Sequence, residues 1–227
     1  MIVFDNVTLR YHYDEYDLLK GVSFSLTDGV NTILADTQSG KTSICKLLTK
    51  QISPTTGQIL VDGQDLSCIT NSNLDILYLP RNPVFFERRS VLYNIEYPLR
   101  VRKVAQQERN SRVNEVIERL GIDGLKRKLK QLDSHDRNLV ALARGLTVRR
   151  KVVLFDDYFC EQNVNEIQQT VDLFDGACAV IVTSEQSLAQ GNVVVLDGGN
   201  VVYQGDANEA RKVVSELGWL TYSLANV

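Results

Sequence analysis

The chain has 227 residues, which at roughly 150 residues per domain fits one large domain or a core carrying an insertion. Hydrophobic residues make up 44% and charged residues 23%, a globular composition that argues against a disordered or fibrous chain. With 25 Lys and Arg against 28 Asp and Glu the net charge is −3, so no strong field draws the protein to nucleic acid, and four scattered cysteines with two histidines argue against a zinc or disulfide framework.

The opening Met1-Ile2-Val3-Phe4-Asp5 lacks the charged leader and apolar core of a signal peptide. The longest apolar runs, such as Ala177 to Val182, are strand-sized, whereas a membrane helix needs about 20 residues. A soluble, cytoplasmic chain is expected, any membrane role coming through a partner. Residues 1–35 read as short β segments: Phe4, Val7 and Leu9 carry apolar weight, Val22 to Leu26 alternates with period two, and Asn31 to Leu34 is a further strand after the Asp28-Gly29 turn. In Lys41–Lys50, Ile44, Leu47 and Leu48 form a helical stripe. Gln58–Val61 follows a Pro54-to-Gly57 turn, and Leu74–Leu79 reads as a strand closed by Pro80.

From Ser90 to Lys130 the periodicity is helical, with Val113, Val116, Ile117 and Leu120 on one face and Gly121 as a stop. This part is basic, from Arg100, Arg102 and Lys103 through Arg109 and Arg112 to Lys126–Lys130, and reads as a solvated helical surface or a groove for a partner. A helix over about 137–148 precedes the buried strand Val152–Phe155, which ends in Asp156-Asp157. Ala179–Val182 is another strand, Val193–Leu196 and Val201–Tyr203 form a hairpin, and a helix from about Ala207 to Leu217 closes the chain. Strands alternating with helices, interrupted once by a helical stretch, predict an α/β domain with an inserted α-helical subdomain.

Ala35-Asp36-Thr37-Gln38-Ser39-Gly40-Lys41-Thr42 leaves a strand and opens a helix, the setting of a GxxxxGK[ST] phosphate loop with Ala35 in place of the first glycine. Backbone N–H groups at such a helix start cradle phosphate oxygens, helped by the helix dipole. Lys41 is placed to reach the β- and γ-phosphates, Thr42 to ligate Mg²⁺ and Ser43 to complete the loop. The apolar run Val152–Phe155 ends in Asp156, a second candidate Mg²⁺ ligand on a neighbouring strand.

With these pieces in order, the chain resembles the nucleotide-binding subunit of ATP-binding cassette (ABC) transporters over nearly its whole length. Leu9-Arg10-Tyr11 followed by Leu19-Lys20-Gly21-Val22-Ser23-Phe24 is similar to the family's opening, which implies that Tyr11 stacks on adenine, with Tyr13 as runner-up and a partly buried aromatic as the bland alternative. Thr56–Gly63, Ile95–Arg102, Val140–Leu146 and Tyr203-Gln204-Gly205 resemble successive later segments. The resemblance implies a P-loop NTPase (RecA-like) core with an antiparallel β subdomain and an inserted α-helical subdomain. It places one ABC-type domain over 1–227, with the core in 1–80 and 150–227 and the helical part at about 88–148. It also implies ATP and Mg²⁺ as cofactors, a transmembrane permease and a second cassette as partners, no nucleic acid, and a place on the cytoplasmic face of the membrane. Pro83-Val84-Phe85-Phe86 falls where the family's membrane partner docks, and reads either as an exposed patch or as core.

Several positions depart from the family pattern. The signature slot holds Leu132-Asp133-Ser134-His135-Asp136 in place of LSGGQ, so carboxylates stand where amides meet the γ-phosphate. Asp133 or Ser134 can equally N-cap the following helix. The carboxylate after the Mg²⁺ aspartate is Asp157, one methylene shorter than the family's Glu, and a misplacement of roughly 1 Å can cost on the order of 10²-fold in rate. Ser184 stands for the family histidine and Arg81 for the loop glutamine. The expectation is an ATP-binding subunit that holds Mg-ATP with weak or absent hydrolysis. The alternatives are an active transporter ATPase, with Asp157 orienting water, and a nucleotide-free regulatory or scaffold module, which Ala35 and Gln38 motivate.

Overall fold

The computed structural model describes residues 1–12, 15–36, 39–122, 128–159 and 164–219. In chain order the elements are β1 (Ile2–Leu9), β2 (Leu19–Leu26), β3 (Val30–Ala35), α1 (Lys41–Leu48), β4 (Thr56–Val61), β5 (Gln64–Asp65) and β6 (Ile76–Pro80). Three helices follow, α2 (Val91–Val101), α3 (Gln106–Leu120) and α4 (Ser134–Leu146). The rest is β7 (Val152–Asp156), α5 (Val164–Asp172), β8 (Cys178–Thr183), β9 (Asn192–Asp197), β10 (Asn200–Gly205) and α6 (Ala207–Glu216). The chain divides into two compact units, Met1–Arg81 with Lys151–Val227, and Asn82–Arg150.

The first unit holds two sheets, an antiparallel one in the order β2-β1-β4-β5 and a six-stranded one in the order β10-β9-β3-β8-β7-β6. In β1 the core-facing residues are Ile2 and Phe4, then Val7 and Leu9, a spacing that slips by one. A bulge absorbs the slip: the pairing with β2 shifts between Phe4 and Val7, and Asn6 takes φ 49°. The chain passes so close there that a Cβ on Gly57 would lie 2.2 Å from the Asn6 carbonyl oxygen, which is why the second residue of β4 is a glycine.

Helix α1 lies between the sheets. Its Ile44, Cys45, Leu47 and Leu48 share one core with Phe4, Leu9 and Phe24 on one side and Leu154, Val180 and Val194 on the other. Alternate residues of the second sheet, Leu34, Val193 and Val195, turn the opposite way and pack on Ala210 and Val214 of α6. Strands β6, β7, β8, β3 and β9 are parallel, with Pro80 beside Asp156, Asp156 beside Val182, and Val182 beside Ile33. Their carboxyl ends therefore share one edge, where open α/β sheets bind ligands. Pro80 is the last residue of β6 rather than a stop beyond it, tolerable because β6 is an edge strand and needs no outward N–H.

The second unit is built from α2, α3 and α4. Ser90 caps α2 by accepting from the Tyr93 N–H at 3.2 Å, and Gly121 ends α3 at φ 61°. Helix α4 begins at Ser134, three residues earlier than the apolar period predicts, because the polar first turn is held by its cap and not by burial. Part of the basic surplus is neutralised within the unit: Glu96, 7% exposed, accepts from Arg100 Nη2 and Arg109 Nε, each at 2.7 Å. Burial alone would raise the Glu96 carboxyl, but the hydrogen bonds from Arg100 and Arg109 outweigh it and hold the group below its ordinary value.

Glu96→Gln should therefore destabilise the chain by about 2–3 kcal/mol at neutral pH, since one partner of a largely buried pair is lost. Because the folded-state value is lowered, the wild-type contribution is complete above the ordinary carboxylate range and disappears as pH falls through that lowered value. Denaturant unfolding of both proteins between pH 7 and pH 3 checks this: the difference between them should shrink with acid.

Candidate functional site

The loop after β3 turns tightly into α1. The Ser39 N–H donates to the Asp36 carbonyl at 3.2 Å, and Gly40 stands at the helix start with φ 89° and ψ 12°. Only glycine takes that conformation freely, and a Cβ there would also press on Leu19 and Leu18. The Lys41 Nζ folds back over the turn and donates to the Ala35 and Asp36 carbonyls, each at 3.0 Å. Ala35 is the buried last residue of β3 and Ser39 is 7% exposed, while Thr37 and Gln38 lie outside the described residues.

Thr42 and Asp156 come together. The Thr42 hydroxyl donates to Asp156 Oδ1 at 3.4 Å, joining the first turn of α1 to the end of β7. Asp156 is only 5% exposed, and its second oxygen, Oδ2, accepts from the Tyr78 hydroxyl at 2.7 Å. Burial, then the bond to Asp156, pushes the Tyr78 phenol above its ordinary range, so it stays protonated and donating. A hydroxyl and a carboxylate oxygen facing one another are hard donors of the kind Mg²⁺ takes, and Lys41 adds a cation for the phosphates that accompany it. The donor set fits Mg²⁺ with a nucleoside triphosphate.

Asp157 follows at φ 47°, its N–H donating to the Val182 carbonyl at 2.9 Å. Its carboxyl sits above its ordinary value because burial outweighs the nearby Lys41 and Arg81 cations, with Asp156 pushing the same way as burial. Arg81 is exposed beyond the end of β6, and its N–H donates to the Asp156 carbonyl at 2.9 Å. Ser184 is exposed just past β8. Next to it is Glu185, whose N–H donates to Thr183 Oγ1 at 3.1 Å and whose carboxyl is raised first by burial and then by Asp157.

Tyr11 is half-buried against the main core, and its hydroxyl lies 3.0 Å from Ser43 Oγ on α1. That is the bland environment the sequence left open for it, a partly buried aromatic; Tyr13 lies outside the described residues.

In the helical unit, Asp133 is the N-cap of α4, with Oδ1 accepting from the Asp136 N–H at 2.8 Å. Ser134, His135 and Asp136 form the first helical turn. The segment Pro83–Phe86 is divided: Phe85 is buried at 9% with Arg137 and Arg144 over its ring, whereas Val84 is 83% exposed. Phe86 is 41% exposed and packs on Tyr97 and Tyr93, with ring centroids 4.5 and 5.7 Å away.

Two residues of the site went unread in the sequence, Tyr78 and Glu185. Tyr78 stands opposite Leu154, so period two places it on the Asp156 side of the strand pair, a signal available only once the β6–β7 register is known. Glu185 carries no such signal, since a single carboxylate after a strand end has no spacing that marks it.

Residues 19–159 match the ABC transporter family. The chain is 30% identical over 192 residues to the Fe(3+) ions import ATP-binding protein FbpC of Mannheimia succiniciproducens, covering 78% of this chain and 54% of that protein. It is 31% identical over 208 residues to the molybdate/tungstate import ATP-binding protein WtpC of Pyrococcus horikoshii, covering 87% of this chain and 60% of that one. The chain thus spans little more than half the length of these relatives. Among solved structures, cbiO1 of Clostridium perfringens, part of the ABC transporter complex cbiONQ, superposes with a TM-score of 0.80 at 22% identity, covering 96% and 94% of the two chains. A bacterial Atm1-family ABC exporter with ATP bound gives 0.77 at 23% identity, covering 93% of this chain and 40% of that one. At these identities the structural likeness carries the fold, an ABC-type P-loop core with an antiparallel β subdomain and a helical region.

Because the fold raises the Asp157 carboxyl, ionising it at neutral pH costs stability: the favourable contribution is present below the ordinary value of 3.8 and is lost as pH rises through the folded value. Asp157→Asn should then raise the unfolding midpoint at pH 7, because an amide carries no charge to bury. The gain should fade below pH 3.8, and a thermal unfolding series against pH measures it.

Proposed function

The chain belongs to the ABC transporter family as its ATP-binding domain, and from that membership we propose that it is the ATP-binding subunit of an ABC importer, binding Mg-ATP at the Ala35–Ser43 loop and hydrolysing it. The observation that carries this reading is the meeting of Thr42 and Asp156 beside Lys41, which gathers the groups that hold a magnesium triphosphate. In this reading Thr42 and Asp156 hold Mg²⁺, which when bound neutralises phosphate charge. Lys41 leaves the Ala35 and Asp36 carbonyls for the phosphates, and loop amides of residues 36–43 hold phosphate oxygens. Tyr11 lies on the same side of α1 as Ser43 and is our candidate for the base, a role its ring serves only while the Ser43 contact leaves one face open.

Asp157 is the residue we assign to orienting the attacking water. Its raised carboxyl lies in the direction that suits a base near neutral pH, and its distance from Lys41 and Arg81 is short enough for both cations to act on it. The import ATP-binding proteins among its relatives support hydrolysis over the weak or absent turnover expected from the sequence. Slow turnover stays as a second reading, favoured by the short carboxylate at 157, by Ser184 and Arg81, and by the acidic first turn of α4. A nucleotide-free scaffold draws on Ala35 and Gln38 alone, and the Ala35 carbonyl is in use by Lys41.

As partners we infer a permease and a second cassette, the protein lying peripherally on the cytoplasmic face of the membrane. No helix among the described residues is long and apolar enough to cross a membrane. The exposed Val84 and Phe86 support docking of the permease on the helical unit. We read the chain as a single cassette, core at 1–80 and 150–227 and helical part at about 88–148.

Binding and turnover measured together test this. Mg-ATP should bind with micromolar affinity, Lys41→Ala should weaken it about tenfold or more, and the protein with its permease should turn over roughly once per second or faster. Asp157→Asn should cut turnover by about 10²-fold while leaving binding in place. Micromolar binding with no turnover would select the slow reading; no binding would leave the scaffold.

A further inference from the structure

The Asp156 carboxylate is gripped on both oxygens by different elements of the fold, helix α1 and strand β6. Oδ1 faces the Thr42 hydroxyl at 3.4 Å, and Oδ2 takes the proton of Tyr78 at 2.7 Å. The shorter bond is the one to Tyr78, whose ring is half-buried on β6 and packs against the main core. The residue just past that strand also reaches the backbone of Asp156, the Arg81 N–H donating to its carbonyl at 2.9 Å. A carboxylate held by one oxygen alone can turn about its Cβ–Cγ bond, and here the phenol removes that freedom. Because Oδ2 is committed to Tyr78, Oδ1 is the oxygen turned toward Thr42. Hydrogen bonds behind a metal ligand of this kind orient it, and their loss commonly costs 10–100-fold in metal affinity.

We propose that Tyr78 is a positioning residue that aims the Asp156 carboxylate at Thr42 and thereby sets the affinity of the nucleotide site for Mg²⁺. This rests on the reading of Thr42 and Asp156 as the Mg²⁺-holding pair. Tyr78 touches neither phosphate nor water in this role and acts through Asp156. A merely structural role, filling the hydrogen-bonding capacity of a buried carboxylate, would give a different result, since its loss would lower stability without separating metal from nucleotide.

The test is the binding of a fluorescent ATP analogue to the full chain, measured in EDTA and at increasing free Mg²⁺. Wild type should bind more tightly as Mg²⁺ rises. Tyr78→Phe keeps the ring and its packing, so binding in EDTA should match wild type, while the Mg²⁺ concentration giving half the tightening should rise about tenfold. In an Asp156→Asn background, Tyr78→Phe should have no further effect on the Mg²⁺ response. Equal Mg²⁺ midpoints for wild type and Tyr78→Phe would overturn the proposal, as would a shift of the same size in EDTA. Wild-type binding indifferent to Mg²⁺ would instead remove the Thr42–Asp156 reading and this proposal with it.

Discussion

The arrangement depends on a carboxylate that the fold has almost removed from water. A carboxyl group at 5% exposure is costly unless its oxygens are hydrogen-bonded. Asp156 meets that requirement with Thr42 from α1 and Tyr78 from β6, so satisfying one side chain ties the helix that follows the phosphate loop to an edge strand of the sheet. The parallel register makes this possible by ending β6 and β7 at the same level. The loop, the helix start and the carboxylate are thus aligned by the fold before any ligand arrives, and the cost of ordering them is met in folding.

The electrostatics of the edge follow from this. Asp156, Asp157 and Glu185 gather negative charge at the ends of β7 and β8, and burial raises the last two above their ordinary values. Lys41 and Arg81 oppose that charge, Lys41 acting on Asp157 and Arg81 acting on both Asp157 and Glu185. A triphosphate brought to the same place adds further negative charge, which a divalent cation and these two side chains would have to offset. The Arg81 cation fits such a balance, since it already acts on both Asp157 and Glu185.

Much of this could be read in the sequence, and what escaped did so for physical reasons. Lys41 and Thr42 were legible because the loop is local: strand, polar turn and helical stripe are contiguous. Asp156 was legible because four apolar residues make a buried strand and the first carboxylate after them must lie at its end. Helix α4 starts before its apolar stripe because Ser134 to Arg137 carry no apolar residue, and it is the Asp133 cap that holds them helical. Helix α5 was not foreseen, its nine residues being mostly polar. The bulge at Asn6 shows only as an apolar spacing out of phase, and Tyr78 acquires meaning only through a bond to a residue 78 positions away.

Side-chain hydrogen bonding separates the site residues into two kinds. Thr42, Ser43, Lys41 and Asp156 each have a partner inside the fold, so replacing any of them disturbs structure as well as binding. Arg81, Ser184, Asp133, Ser134 and His135 are exposed, and apart from the Asp133 cap their side chains can change at little cost in stability. Substitutions at those places would therefore disturb the fold little. Asp157 belongs to neither kind. It is half-buried, its backbone is left-handed, and its surroundings penalise the charge it carries. An asparagine would take that backbone conformation at least as easily and carry no charge to bury. A carboxylate kept where burial works against it is what supports the water-orienting role proposed above for Asp157. That argument favours hydrolysis over binding alone.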